Sequence, residues 1–244
     1  MSSTDQIALI TGANKGIGLE IAKQLAAQEG YHILLGSRDA ERGAEAVKSL
    51  HKAGLPTVEL ILIDVASDAS IATAAASVRE KYGRLDVLIN NAGIATESWT
   101  GEPPTREQFA ETYAVNVFGS ALTTEAFVPL LEKSTNPRIV FISSEMGSLA
   151  IRADPEGRLH EMHFPVYRSS KAALNMLALG YATKYREKGW KVNMNNPGFT
   201  ATEMNGFTAP GKVEDAAKGA VRLAMLGVDG ETGTFSENEG ELPW

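Results

Sequence analysis

A tyrosine and a lysine one helical turn apart are the side chains in this sequence best suited to acid–base chemistry. Tyr167 and Lys171 open a helix-like stretch, in which positions i and i+4 share one face. A phenol ordinarily titrates near pH 10, which is too high for proton exchange at neutral pH. The Lys171 ammonium is expected to favour the phenolate and to lower the Tyr167 pKa. Similar pairs arise by chance, as Tyr181 with Lys184 shows, so this pair needs support from elsewhere.

Two polar sites upstream extend this constellation. Ser143 and Ser144 end an apolar run, and a hydroxyl there can hold a carbonyl oxygen beside a tyrosine. Either serine fits, and serines also simply terminate strands. Asn116 lies among apolar residues in the predicted helix Phe109–Gly119, where a buried amide needs a partner. It is either a structural polar group or the ligand of a water that relays protons towards Lys171.

The elements that must position these side chains alternate between short apolar runs and longer amphipathic stretches. The predicted strands are Ile7–Thr11, His32–Gly36, Val58–Ile63, Val87–Asn90, Arg138–Ser143, Lys191–Asn195 and Thr232–Phe235. The predicted helices include Gly16–Glu29, Ala40–Ala53 and Ser67–Tyr82. This rhythm predicts an α/β fold: a single doubly wound Rossmann-type domain over residues 1–244, with a mainly parallel sheet of about seven strands flanked by helices.

In such a sheet, ligands bind beyond the carboxyl ends of the strands. We expect the cofactor half to span about residues 1–143. Three segments break the alternation after predicted strands, at residues 95–104, 145–165 and 198–211. Long connections at this edge are often functional, so these three are the predicted substrate loops.

A glycine-rich turn follows the first predicted strand and opens the first predicted helix. Three glycines at this junction permit a tight turn, close approach of N–H groups to a pyrophosphate, and helix–strand packing. The helix N-terminus adds a dipole that favours the anion. The predicted dinucleotide contacts here are Gly12, Asn14, Lys15, Gly16, Ile17 and Gly18.

Basic residues near this turn favour NADP(H) over NAD(H). Arg38 lies twenty residues after Gly18, where an NAD enzyme usually carries an acid for the ribose 2′-hydroxyl. A guanidinium can instead fork onto a 2′-phosphate, and Lys15 adds a second charge. The competing interpretation is solvated surface charge. We interpret Asp39 as the N-cap of the following helix, although it could instead hold a ribose.

The third predicted strand ends in a second candidate cofactor contact. Asp64 and Val65 form a plausible seat for the adenine ring, with Asp64 accepting from its amino group. Asp64 could equally be only the cap of the helix that starts near Ser67.

Composition excludes several function classes. The 244 residues carry a net charge of −7, which argues against nucleic-acid binding, and they include no cysteine, which excludes disulfides, thiolate zinc sites and cysteine nucleophiles. We find neither a signal-peptide pattern nor an apolar run approaching the roughly 18 residues of a membrane span. A cytoplasmic protein with no membrane partner is therefore expected.

Six motifs in order resemble those of the short-chain dehydrogenases/reductases, over almost the whole chain. They are Thr11–Gly18, Asn90–Gly93, Asn116, Ser144, Tyr167 with Lys171, and Pro197–Gly198. Within that family, Gly12–Leu19 and Asp86–Ala95 are similar to the NADPH-dependent carbonyl reductases, whose relatives include plant reductases of terpenoid and alkaloid ketones.

The resemblance implies a role for each matching residue. Tyr167 would be the general acid in reduction, and Lys171 would hold the nicotinamide ribose and lower the tyrosine pKa. With the positive ring of the oxidised cofactor helping, a lowering of about three units requires roughly 4 kcal/mol. Ser144, favoured over Ser143, would bind the carbonyl, and Asn116 would complete the proton relay. The further cofactor contacts implied are Asn91, Ala92, Gly93, Pro197, Gly198, Thr200 and Thr202.

The substrate side is less well defined. Ser144, Met146, Phe199 and Met204 are the predicted substrate contacts; Trp99, Leu149, Phe164 and Phe207 are further candidates for an apolar wall, or plain core. The insertion before Tyr167 is about ten residues longer than in most simple family members, which leaves monomer and oligomer both open. It holds His160, Glu161 and His163, for which lining a pocket or facing solvent is favoured over binding a metal.

These observations predict NADPH-dependent reduction of a ketone or aldehyde carbonyl in a small, hydrophobic substrate. One alternative is reduction of an activated C=C or C=N bond on the same scaffold. Another, from a different class, is a regulatory protein that senses NADP(H) without turnover. The Ser144, Tyr167 and Lys171 set argues against the sensor, although the fold alone does not exclude it.

Overall fold

One eight-stranded sheet carries the site, in the order β3-β2-β1-β4-β5-β6-β7-β8. The computed structural model describes residues 5–97, 102–157 and 159–244. The strands are β1 (Gln6–Ile10), β2 (Tyr31–Ser37), β3 (Val58–Leu62), β4 (Val87–Asn90), β5 (Arg138–Ile142), β6 (Lys191–Asn195), β7 (Phe235–Glu237) and β8 (Gly240–Glu241). The first seven run parallel, and β8 pairs antiparallel with β7.

The predicted fold is confirmed, with small differences at the far edge of the sheet. The seventh strand starts at Phe235 instead of Thr232, because Gly233 (φ 80°) turns the chain just before it. The two-residue strand β8 was not predicted, since it is too short to show a periodic pattern. The strand order reverses between β1 and β4, which places the predicted ligand crevice above the carboxyl ends of these two strands.

Helices cover both faces of the sheet because side chains alternate along each strand. They are α1 (Gly16–Ala26), α2 (Ala40–Lys52), α3 (Asp68–Tyr82), α4 (Arg106–Tyr113), α5 (Ser120–Leu131), α6 (Leu149–Ala153), α7 (Pro165–Tyr185) and α8 (Val213–Ala224). Ile7 and Leu9 pack towards α3, α5 and α7, whereas Ala8 and Ile10 pack towards α1, α2 and α8. Both faces are therefore apolar, as a parallel sheet requires.

Side-chain caps fix where two of these helices begin. The Asp39 carboxylate accepts a hydrogen bond from the Arg42 N–H at 3.0 Å, which confirms Asp39 as the N-cap of α2. The Ser67 hydroxyl caps α3 by accepting from Ser70 N–H. The alternative that Asp64 caps α3 is therefore wrong, because Asp64 precedes the helix and accepts from Ala66 N–H instead.

A π-helical turn at Ala114–Gly119 joins α4 and α5 into one helical run that contains the predicted helix around Asn116. Within the described part of the chain, this run (Arg106–Leu131) is the single helix that is long and apolar enough, by composition, to span a membrane. Its most apolar window is 56% buried, and α5 packs against α3 and β4. It is thus a core helix that packs against the sheet. The expectation that no apolar stretch approaches the length of a membrane span is wrong for this run.

Asparagines of β6 bind β7 and the chain just before it. Asn193 donates to the Glu231 carbonyl at 2.9 Å and accepts from Thr234 N–H at 3.1 Å. Asn195 donates to the Ser236 carbonyl at 3.2 Å. These buried amides take over part of the pairing that a short edge strand cannot supply, which explains why this segment is so polar.

Candidate active site

The glycine turn between β1 and α1 has no room for a side chain at Gly12 or Gly18. Gly12 and Gly16 have φ angles of 61° and 57°, a conformation that favours glycine. A Cβ at Gly18 would lie 2.7 Å from the Gly12 carbonyl oxygen and would collide with the Asn91 side chain. A Cβ at Gly12 would lie 3.0 Å from the Ala92 Cα. The turn is therefore compressed against the segment that follows β4.

Thr11 and Asn91 fasten these two segments together. The Thr11 hydroxyl accepts hydrogen bonds from the N–H groups of Asn91 and Ala92, both at 3.0 Å. The Asn91 amide donates to the carbonyls of Thr11 and Gly12 at 2.8 and 3.0 Å. The Asn91 side chain thus holds the glycine turn in place. Only the backbone of Asn91 is left for the predicted cofactor contact, next to the partly buried Ala92 and Gly93.

This turn fits a dinucleotide pyrophosphate. No side chain caps the N-terminus of α1, whose first N–H groups lack intrahelical partners as in every α-helix. Asn14, Gly16 and Ile17 are only partly buried, and Lys15 is exposed beside them. A helix N-terminus approached by side-chain-free backbone is a favourable site for a phosphate group.

Exposed cations lie at the end of β2, the place where the sequence predicts a contact with a 2′-phosphate. Arg38 is exposed directly after β2. Its neighbour Asp39 is engaged in capping, and the Arg42 guanidinium lies 3.7 Å from the Asp39 carboxylate. Arg42, which the sequence analysis did not single out, lies in the first turn of α2 beside Asp39. Lys15 is already paired with Glu203, a partner that the sequence did not reveal.

The remaining predicted cofactor contacts also lie at the carboxyl ends of the strands, after β3 and β6. Val65 is buried beyond β3, next to the partly exposed Asp64. The buried Thr200 hydroxyl donates to the Pro197 carbonyl at 3.1 Å and reaches the Gly198 carbonyl at 3.3 Å. The Thr202 side chain approaches the glycine turn, since its methyl would lie 3.7 Å from a Cβ at Gly16.

The two serines after β5 have different surroundings. The Ser143 hydroxyl is buried and donates to the Asn175 amide oxygen on α7 at 2.5 Å. The Ser144 hydroxyl is partly exposed, accepts from Met146 N–H at 3.2 Å, and lies within hydrogen-bonding reach of Tyr167. The structure thus separates a structural serine from one that faces the candidate site, a distinction the sequence left open.

Tyr167 and Lys171 share one face of α7, as expected. The Lys171 Nζ lies 5.7 Å from the centre of the Tyr167 ring and donates to the Ile142 carbonyl at 2.8 Å. Burial lowers the pKa of Lys171 to about 8. It raises the pKa of Tyr167 to about 12, partly offset by the hydrogen bond with Ser144.

The protein's own groups thus raise the Tyr167 pKa, and the expected lowering stays a prediction for Lys171 acting together with the positive ring of an oxidised nicotinamide. Removal of water from around the phenol outweighs the attraction of an ammonium that is directed at a backbone carbonyl. At neutral pH, this environment keeps Tyr167 protonated.

Asn116 is fully buried in the π-helical turn and links two parts of the site. Its amide oxygen accepts from Ile94 N–H at 2.8 Å, and its nitrogen donates to the Ile94 carbonyl at 2.9 Å and the Ser170 hydroxyl at 3.0 Å. Its structural role is thereby explained. Asn116 and Lys171 also both border Gly93: a Cβ there would lie 3.4 Å from the Asn116 oxygen and 3.6 Å from the Lys171 nitrogen.

Gly147 lets the loop after Ser144 lie directly on α7. A Cβ at this position would lie 2.7 Å from the Lys171 carbonyl carbon and 2.8 Å from the Ala172 nitrogen. The sequence analysis missed this residue, because nothing local distinguishes it from an ordinary turn glycine. Only the packing of two distant segments makes a side chain impossible here.

The predicted substrate residues surround the site with open apolar surface. Phe199 and Met204 are 48% and 45% exposed, Phe207 and Leu149 are also exposed, and Met146 and Phe164 are partly buried. These side chains are therefore not plain core. Trp99 lies outside the described residues. In the described part of the chain, no group of acids and histidines is arranged to hold a metal ion.

Known proteins resemble this chain along nearly its full length. The family model for short chain dehydrogenases matches residues 6–212. A short-chain dehydrogenase/reductase from Stachybotrys chlorohalonatus (ATR10) is 39% identical, covering 99% of this chain and 95% of that protein. The (+)-neomenthol dehydrogenase of Arabidopsis thaliana is 36% identical over 91% and 92%. The structure of NADPH-bound carbonyl reductase from chicken fatty liver superposes with a TM-score of 0.85 at 31% identity, covering 98% and 99%.

Replacement of Gly147 by alanine should destabilise the fold locally around the site. We expect Gly147→Ala to lower the free energy of unfolding by about 1–3 kcal/mol, because the added methyl overlaps the α7 backbone. Urea denaturation measures this. Gly180→Ala, on α7 itself, is the control: its Cβ meets nothing within 4 Å and alanine favours the helix, so stability should hold or rise. Equal stability of both variants would contradict the packing argument.

The buried Lys171 should make stability rise with pH. Its pKa is about 8 in the folded protein and 10.5 ordinarily, so between these values the unfolded chain binds more protons. Raising the pH from 7 to 9.5 therefore adds about 2 kcal/mol to the free energy of unfolding through this group. Urea denaturation of the wild type and Lys171→Met at both pH values checks this. A difference between the two proteins that does not change with pH would refute it.

Proposed function

The chain belongs to the short-chain dehydrogenase/reductase family, and from this premise we propose that it uses NADPH to reduce the carbonyl group of a small, hydrophobic ketone or aldehyde. The observation that carries the proposal is the meeting of Ser144, Tyr167 and Lys171 at the edge of the sheet that holds the glycine turn. The similarity to reductases and alcohol dehydrogenases along the whole chain supports it.

In this proposal, Ser144 and Tyr167 hold the substrate oxygen. Their hydroxyls already lie within hydrogen-bonding reach of each other, so an oxygen placed between them would receive two donors. Tyr167 is protonated at neutral pH, which suits a general acid that gives its proton to the oxygen as the carbonyl becomes an alcohol. NADPH, when bound, supplies the hydride.

Lys171 and Asn116 would support the proton on Tyr167. The Lys171 amine is held by the Ile142 carbonyl and keeps further N–H groups for a ribose hydroxyl at the same edge. The Asn116 oxygen borders the same small space beside Gly93. A water in this space would connect Lys171 to the protein interior, which is the relay predicted from the sequence.

The choice of NADPH is supported by the charges beyond β2. In this proposal Arg38 and Arg42 would face a ribose 2′-phosphate. The acid next to Arg38, Asp39, accepts from the N-terminus of α2 and pairs with Arg42. A ribose 2′-hydroxyl would need a free carboxylate here, whereas a phosphate needs guanidinium groups. The open apolar side chains Phe199 and Met204 favour a hydrophobic substrate.

Removal of the Tyr167 hydroxyl should abolish turnover while leaving the fold intact. We expect Tyr167→Phe and Ser144→Ala each to reduce NADPH-dependent ketone reduction by at least 100-fold, because one donates the proton and the other holds the oxygen. The measurement is NADPH consumption over a panel of ketones and aldehydes, with the products identified.

Ser143→Ala is the matched control for the serine. It removes a buried hydrogen bond to Asn175, so it should cost stability of about 1–3 kcal/mol but leave kcat within severalfold of the wild type. Full activity in Tyr167→Phe would refute the mechanism. Binding of NADPH with no product from any ketone or enone would favour a sensor instead.

Reversal of the charge at Arg38 should change the cofactor preference. We expect Arg38→Asp to lower kcat/KM for NADPH about 10- to 100-fold, because a charge-assisted hydrogen bond to the phosphate is replaced by repulsion, while NADH is used as well or better. Arg79→Asp, with the same charge change on α3 at the opposite edge of the sheet, serves as the control. An unchanged ratio of NADPH to NADH use would remove Arg38 from the cofactor site.

A further inference from the structure

The helix that carries Tyr167 starts without a cap of its own. Phe164, at the N-cap position, has a φ of 44° and an apolar side chain that accepts no hydrogen bond. Pro165 follows, which fixes the backbone but has no N–H to be satisfied. The N–H groups of Val166 and Tyr167 therefore need acceptors from another part of the chain.

Glu97 supplies both acceptors from far away in the sequence. One of its carboxylate oxygens accepts from Val166 N–H at 2.9 Å, and the other accepts from Tyr167 N–H at 2.6 Å. The next N–H, that of Arg168, is bound by the Phe164 carbonyl at 2.9 Å. The first turn of α7 is thus completed by one side chain that stands 69 residues before Val166.

A carboxylate suits this place electrostatically. The N-terminus of a helix carries partial positive charge, and an ionised acceptor forms shorter and stronger hydrogen bonds than a neutral one. Because both oxygens are used, the carboxylate is held in two directions and fixes the position of the helix end.

A second connection runs between the same two segments. Ile94, three residues before Glu97, binds both sides of the Asn116 amide, and Asn116 in turn donates to the Ser170 hydroxyl. That hydroxyl donates to the Tyr167 carbonyl at 2.7 Å. The chain after β4 therefore holds the Tyr167 backbone at its nitrogen through Glu97 and at its carbonyl through Asn116 and Ser170.

We infer that Glu97 is a positioning residue that sets the placement of Tyr167 and couples the substrate loop after β4 to the catalytic helix. The inference rests on the proposed role of Tyr167 as the acid. Glu97 acts through the backbone of α7 and makes no contact with the glycine turn. Its loss should lower kcat, whereas binding of NADPH should be preserved.

Two substitutions at Glu97 test this. Glu97→Ala removes both acceptors, and we expect kcat to fall at least tenfold with the NADPH dissociation constant, measured by fluorescence titration, within twofold of the wild type. Glu97→Gln keeps the size and one carbonyl acceptor, so it should recover at least fivefold in kcat over the alanine variant. Recovery by glutamine also keeps the test decisive if the alanine variant folds poorly.

Hydrogen exchange gives a readout that needs no substrate. The amides of Val166 and Tyr167 should exchange at least tenfold faster in Glu97→Ala than in the wild type, with an intermediate rate in Glu97→Gln. Gly83→Ala is the control for stability: it strains the left-handed C-cap of α3 (φ 72°) at the opposite edge of the sheet and should leave kcat and these two amides unchanged.

The kinetic and hydrogen-exchange measurements distinguish a failure of the role of Glu97 from a failure of the proposed function. Unchanged exchange at Val166 and Tyr167 in Glu97→Ala, or a kcat within twofold of the wild type, would overturn the role of Glu97. An equal loss of kcat in Gly83→Ala would overturn it too, since general destabilisation would then explain the effect. If the wild type reduces no carbonyl compound, the proposed function fails, and the exchange result still decides whether Glu97 holds the helix.

Discussion

The seating of α7 on the end of β5 is the constraint on which the rest of the site depends. Lys171 brings an ammonium into a position that is only 4% exposed, where a charge is costly unless it is bound. The Ile142 carbonyl, the last of β5, accepts from it at 2.8 Å. Ser143 and Asn175 form a second tie between the same two elements, and Gly147 allows the backbones to touch. Together these ties bring Tyr167 within hydrogen-bonding reach of Ser144.

The same burial moves the two titrating groups in opposite directions. Desolvation disfavours the charged form of each group, so the Lys171 pKa falls to about 8 and the Tyr167 pKa rises to about 12. At neutral pH the phenol keeps its proton and the amine is still largely charged. Under the proposed function, a protonated phenol beside a serine hydroxyl can give its proton to a carbonyl oxygen.

The amino-acid pattern predicts the strands and helices well, because the apolar residues within each element show which of its side chains are buried. Strand β4 was predicted to the residue because polar residues bound its apolar run. Strand β6 was also predicted to the residue, although it carries a lysine and two asparagines. The family motifs then place Ser144, Tyr167 and Lys171 in one cluster. What the sequence could not supply are relations between distant segments: which serine faces the site, that Gly147 touches α7, that Glu97 caps it, and that the asparagines of β6 bind the neighbouring strands.

The effect of the protein's own groups on the Tyr167 pKa could not be predicted from the sequence for a related reason. A spacing of four residues puts a lysine beside a tyrosine, but it does not say where the ammonium points or how much water remains around the phenol. Both depend on the Ile142 carbonyl and on the side chains packed over α7, none of which is near Tyr167 in sequence.

The segment after β6 is joined to the glycine turn by an ion pair that is much weaker than the buried contacts of α7. Glu203 pairs with Lys15, but both side chains are about half exposed, and an exposed ion pair contributes only about 0–1 kcal/mol. Thr202 lies over Gly16 at the same place. The helix that carries Tyr167 is thus held by buried groups, whereas the segment that lies over the glycine turn is tied to it by an exposed ion pair.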